Sequence, residues 1–165
     1  MGLPSVVVGL VVYLMLSRAG PLGSWGILFT PTAMVIAQTI LITPTLAALS
    51  RQVVGDAWQE YREQLRSLGE TKLGAAPTLL WDLRFSLVTI VLAGFGRAAS
   101  EVGAVMIVGG NIDGVTRVMT TTIALETSKG DLPLALGLGF ILLFIVLALN
   151  AGAYVVKETA QRRYG

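Results

Sequence analysis

Three long stretches of this chain, 1–17, 19–50 and 132–156, contain no charged side chain. A helix crosses the hydrocarbon of a bilayer with roughly 17–25 apolar residues, so each stretch is long enough. A fourth, 85–108, is interrupted only by Arg97 and Glu101. The chain as a whole is 54% hydrophobic and 13% charged, with a mean hydropathy of +0.74, whereas soluble domains are about a quarter charged. The expected fold class is therefore an all-α polytopic membrane protein. Its single transmembrane domain, 1–165, has four transmembrane helices at approximately 3–17, 27–50, 85–108 and 132–156. A polar segment, 51–84, separates the second from the third.

The remaining charges orient these spans. Arg51, Arg62, Arg66, Lys72 and Arg84 flank the 51–84 segment, and Lys157, Arg162 and Arg163 close the chain. On the other side stand Arg18, Arg117 and Lys129. Short loops rich in Lys and Arg stay in the cytoplasm, which puts 51–84 and both termini there. The net charge of +2 is thus spent on topology, and no nucleic-acid partner is expected.

Within the polar segment, Asp56 occupies an N-cap position with Gln59 three residues on, a variant of the capping box. Trp58, Tyr61, Leu65 and Leu68 recur at helical spacing and leave Glu60, Arg62, Glu63 and Arg66 to other faces. Gly69 supplies a left-handed stop. The pattern predicts a separate amphipathic helix over 56–69 whose apolar stripe needs a cover, either a docked partner or membrane lipid.

The second span carries Pro31 and Pro44, either of which would kink a helix interior. The third contains Gly94, Gly96, Ala98, Ala99, Ser100, Gly103 and Ala104, small residues that let membrane helices approach closely. Arg97 and Glu101 stand four apart, on one face of a continuous helix and within reach of each other. They form either a structural ion pair or a gate. Gly109 to Gly114 reads as a loop and Val115 to Ser128 as helical, with Lys129 and Gly130 closing it. Asp131 is placed to cap the last span.

The chain has no cysteine and no histidine, which excludes disulfides, thiolate zinc sites and a histidine base. It has no nucleophile elbow and no Gly-rich loop ending in Lys-Ser or Lys-Thr for nucleotide phosphates. No catalytic residue, metal site or cofactor is expected, and what remains is a pore or carrier component.

Glu63-Gln64-Leu65-Arg66-Ser67-Leu68-Gly69 resembles the cytoplasmic signature of ABC importer permeases, Glu-Ala-Ala followed by three residues and Gly, with Gln64 and Leu65 replacing the alanines. The run from Gly94 to Ile112, followed by Thr116 to Thr127, is similar to permeases of tungstate-type oxyanion importers. Leu3-Pro4 with Val6 to Gly9 resembles the start of an internal span in molybdate permeases. The resemblance covers essentially the whole chain but begins partway through the family pattern, and the chain is expected to lack one or two of the family's N-terminal spans.

This resemblance implies a type I ABC importer-like helical bundle in a prokaryotic plasma (inner) membrane. It implies a homodimer, a cytoplasmic ABC ATPase subunit that performs the ATP hydrolysis, and an extracytoplasmic substrate-binding protein. Glu63, Arg66, Ser67, Leu68 and Gly69 would form the ATPase-coupling segment. Arg97, Ser100, Glu101, Thr120, Thr121 and Thr122 are candidates for the translocation path or gate. The hydroxyls suit a hydrated oxyanion, although threonines near a helix end also serve as backbone partners. Tungstate is the expected substrate. The alternatives are a molybdate- or sulfate-type permease, an ion-coupled carrier or channel using Arg97 and Glu101 as a relay, or an inactive truncated permease.

Overall fold

The computed structural model describes residues 3–67, 69, 71 and 74–164, and the regular elements among them are all helical. The elements are α1 (Ser5–Leu16), a 3-10 turn at Gly23–Trp25, α2 (Pro31–Ser67), α3 (Ala76–Asp82), α4 (Arg84–Ala99), α5 (Gly103–Gly109), α6 (Met119–Lys129) and α7 (Leu132–Tyr164).

Helix α2 starts where local chemistry starts it. The Thr30 hydroxyl accepts a hydrogen bond from the Ala33 N–H at 3.4 Å, and Pro31 takes the first helical position, where its missing N–H costs nothing. Pro31 therefore begins the helix instead of kinking it, and Pro44 alone lies inside. The helix then runs on through Asp56, so the expected separate helix over 56–69 is instead the last third of a 37-residue element. Gln59, Glu60, Arg62, Glu63 and Gln64 are good helix formers. Extending an existing helix past Gly55 and Asp56 costs less than nucleating a new one.

Two of these helices are long and apolar enough to cross a membrane, Pro31–Leu65 and Leu132–Gly152. A third span results if α3 and α4, bent by 68° at Leu83, are taken together. Helix α1, with 12 residues, reaches about 18 Å, short of a hydrocarbon core of about 30 Å. The expected continuous third span over 85–108 is two helices, α4 and α5, separated at Ser100–Val102.

The main core lies where α1, α2 and α5 meet: Val8, Val12 and Leu16 pack with Ala33, Ala37 and Leu41 and with Ala104 and Val108. The backbones come very close there. A Cβ built on Gly9 would stand 2.8 Å from the Cα of Ala104. Helix α4 leans on α2 at Gly94, whose missing side chain leaves room for Leu46. It also leans on α7, where Asn150 stands opposite Gly96. The small residues of the third span thus mark helix contacts, as their pattern implies. Helix α7 is capped by Asp131, whose carboxylate accepts from the Leu134 N–H at 3.2 Å, after Gly130 has closed α6 at φ +85°.

Candidate functional site

Two places gather the chemistry-bearing residues: an elbow between α2 and α3, and the break between α4 and α5.

At the elbow, Ala57 packs against Ala75 and Leu79, with Trp58, Tyr61, Leu65 and Leu83 around them. The apolar stripe of the polar segment therefore has a cover within its own chain, helix α3. A groove of about 350 Å³ remains between the two helices, lined by Tyr61, Gln64, Leu65, Thr78, Leu79, Trp81 and Asp82. Glu63 is exposed, and the Ser67 hydroxyl donates to the Gln64 carbonyl at 2.7 Å. Gly69 has φ +80°, the left-handed conformation its sequence context implies, and a Cβ built there would meet nothing within 4 Å. Leu68 lies outside the described residues, as does the side chain of Arg66. At the far side of α3 the Arg84 guanidinium donates to the Trp81 carbonyl at 2.5 Å. It also stacks 4.7 Å from the Trp81 ring centre and 4.4 Å from that of Phe85.

The break is held by side chains from three directions. Glu101 turns its carboxylate forward onto α5, where Oε1 accepts from the N–H groups of Gly103 at 2.8 Å and Ala104 at 3.4 Å. Gln38 of α2 donates from Nε2 to the Ala98 carbonyl at 3.0 Å. Thr120 of α6, 5% exposed, donates to the Glu101 carbonyl at 3.1 Å. Irregular backbone in a membrane protein requires such internal partners. Beside the break lies a cleft of about 350 Å³ whose lining includes Gln38, Glu101, Val105 and Thr120.

The remaining path candidates are placed otherwise. Arg97 is exposed on the last turn of α4, and among the described residues it forms no ion pair with Glu101. The break, with Glu101 turned to α5, replaces the pair expected on a continuous helix. Ser100 donates to the carbonyls of Gly96 at 3.1 Å and Arg97 at 3.0 Å. Thr121 is fully buried and exchanges hydrogen bonds with the backbone of Val118, and Thr122 donates to the Val118 carbonyl at 2.8 Å. So Glu101 and Thr120 come together at the cleft, while the hydroxyls of Ser100, Thr121 and Thr122 are spent on nearby backbone. Gln38 is not among the residues that sequence pattern singles out. Its signal is that it supplies the sole amide side chain within the charge-free run 19–50.

The loop after α5 is built with equal economy. Gly110, Asn111 and Gly114 have positive φ. The buried Thr116 hydroxyl donates to the Gly109 carbonyl at 2.6 Å and accepts from the Ile112 N–H at 2.9 Å. Arg117 pairs with Asp113 at 3.0 Å.

The chain is similar to several curated permeases. It is 47% identical over 170 residues to a protein of Haloferax volcanii described as a probable anion ABC transporter permease protein, matching 100% of this chain and 73% of that one. It is 48% identical over 158 residues to the tungstate uptake system permease protein TupB of Peptoclostridium acidaminophilum, matching 96% and 69%. A third, TupB of Campylobacter jejuni, is 38% identical over 156 residues, matching 94% and 65%. No protein-family model matches the chain, and no solved structure matches it.

Proposed function

The chain belongs to the tungstate/anion ABC transporter permeases, and on that premise we propose that it is the membrane subunit of an ATP-driven importer carrying tungstate into the cytoplasm. The observation that carries the substrate is the 48% identity, over 96% of the chain, to a tungstate uptake permease. A permease subunit of this family is not itself catalytic, and hydrolysis falls to an ATPase partner. An extracytoplasmic binding protein delivers the anion, and two copies of the chain enclose the path in a type I importer bundle. Both termini and the elbow face the cytoplasm.

In this reading the elbow groove and the turn at Gly69 receive the ATPase. The geometry supports coupling in a simple way: the elbow and the cleft share one helix, because α2 carries Glu63 and Ser67 near one end and Gln38 near the other. A displacement at the elbow is delivered along that helix to the break between α4 and α5, where Glu101 and Thr120 line the way.

The test is uptake by the permease reconstituted in liposomes with its ATPase and binding protein. Vanadate-sensitive, ATP-dependent tungstate uptake that excess molybdate or sulfate competes with only weakly is the expected result. Equal or better transport of molybdate or sulfate overturns the tungstate assignment and spares the importer. Uptake without ATP replaces the importer with an ion-coupled carrier or channel.

A further inference from the structure

The break between α4 and α5 carries neither proline nor a glycine at Ser100–Val102, with Gly103 directly after it. It is held locally, by Ser100 on the Gly96 and Arg97 carbonyls and by the Glu101 carboxylate on α5, and also by partners distant in sequence. The Ala98 carbonyl, in the last turn of α4, accepts from the Gln38 amide as well as from the Glu101 N–H at 3.1 Å, and the Glu101 carbonyl, within the break, accepts from Thr120. These two holds are unequal in one respect. Thr120 sits on α6, next to the loop, whereas Gln38 sits on α2, the helix that also forms the elbow.

We propose that Gln38 is a positioning residue for transport: its amide is the latch through which motion of α2 reaches the α4–α5 break and the cleft beside it. The inference rests on the importer reading above and adds a residue and a contact to it. The latch acts through the peptide at Ala98 and does not require Gln38 to touch the anion. Reorienting that peptide moves Glu101, whose N–H donates to the Ala98 carbonyl, and with it Thr120, which is bonded to the Glu101 carbonyl. Removing the amide donor while keeping the side chain's length leaves α2 and the break in place but no longer bound to each other there. A ratchet of that kind loses coupling before it loses assembly.

The experiment uses the complete transporter, permease with ATPase and binding protein, in liposomes. Gln38→Met keeps length and loses the donor, and Gln38→His restores one. In wild type, tungstate imported per ATP hydrolysed sets the reference. Gln38→Met is expected to assemble in near-normal amount while that ratio falls about three- to tenfold, the range a lost interhelical hydrogen bond supports. Gln38→His is expected to recover part of it.

Hydrogen exchange of the backbone over 98–104 gives a second readout independent of uptake. ATP binding should alter it in wild type and leave it unchanged in Gln38→Met. If uptake and hydrolysis fall together in proportion to the protein assembled, or if the exchange response of Gln38→Met equals that of wild type, the latch is wrong. A wild-type complex that assembles and hydrolyses ATP but moves no oxyanion overturns the importer reading instead, and the latch with it.

Discussion

The Oε1 atom of Glu101 accepts a hydrogen bond from the N–H of Gly103 at 2.8 Å, across the point where one helix has ended and the next has begun. Glu101 is thus a cap, and its value lies in accepting. Glu101→Ala should destabilise the purified permease by about 1 kcal/mol, the usual cost of a lost N-cap, and Glu101→Gln by less because it still accepts. Adding Arg97→Gln to Glu101→Gln should neither rescue nor worsen it. Thermal melting in detergent reads all three, and rescue by the double change would restore the ion pair that the geometry lacks.

Gly9 offers a test of the main core. A Cβ there meets backbone, not a flexible side-chain end, so α1 must move off α5. Gly9→Ala should cost about 1–3 kcal/mol, as overpacking does, and Gly9→Val more. Gly137 faces open space, and Gly137→Ala should stay within about 0.5 kcal/mol. Equal melting of the Gly9 and Gly137 variants would separate α1 from α5.

At Gly69, φ is +80°, a conformation that β-branched residues avoid. Gly69→Val should insert normally yet uncouple ATP hydrolysis from uptake, with Gly69→Asn milder because asparagine tolerates the left-handed region. Coupled uptake at the wild-type rate by Gly69→Val removes this turn from the mechanism.

Thr116 joins Gly109 to Ile112 through one hydroxyl. Thr116→Val keeps the shape and strands both backbone groups, for an expected loss of about 1–3 kcal/mol. Thr116→Ser should lose far less. Protease sensitivity confined to 110–118 is the local readout, and an equally resistant Thr116→Val loop shows that the hydroxyl bridge is dispensable.

Orientation is tested by reporter fusions. One placed after Gly69 should read cytoplasmic and one after Gly110 external. An external signal at Gly69 reverses the placement of the elbow and its partner.

Much of this was legible from residues alone because it is local. Charge-free runs marked α2 and α7, Gly69 marked a left-handed turn, Gly130 marked the close of α6, and Asp131 marked a cap. The small residues of α4 and α5 marked close packing. The rest depends on relations between distant positions. Asp56 has the chemistry of a cap, but a helix already running beneath it made the cap unnecessary. Trp58, Tyr61 and Leu65 showed a stripe without showing that α3 would fold back to cover it. Ser100–Val102 looks like helix interior, and the break there draws not only on local caps but on Gln38 and Thr120, some 60 and 19 residues from their acceptors.

The unbroken course of α2 also fixes a distance. Its 37 residues measure about 55 Å at 1.5 Å per residue, against a hydrocarbon layer of about 30 Å. If α2 crosses the layer upright, the charged part from Arg51 onward leaves on the order of 25 Å of helix outside the hydrocarbon. On the proposed orientation, an ATPase docking at the elbow would meet the transporter outside the hydrocarbon. Helix tilt and bilayer thickness together set how much of that length protrudes.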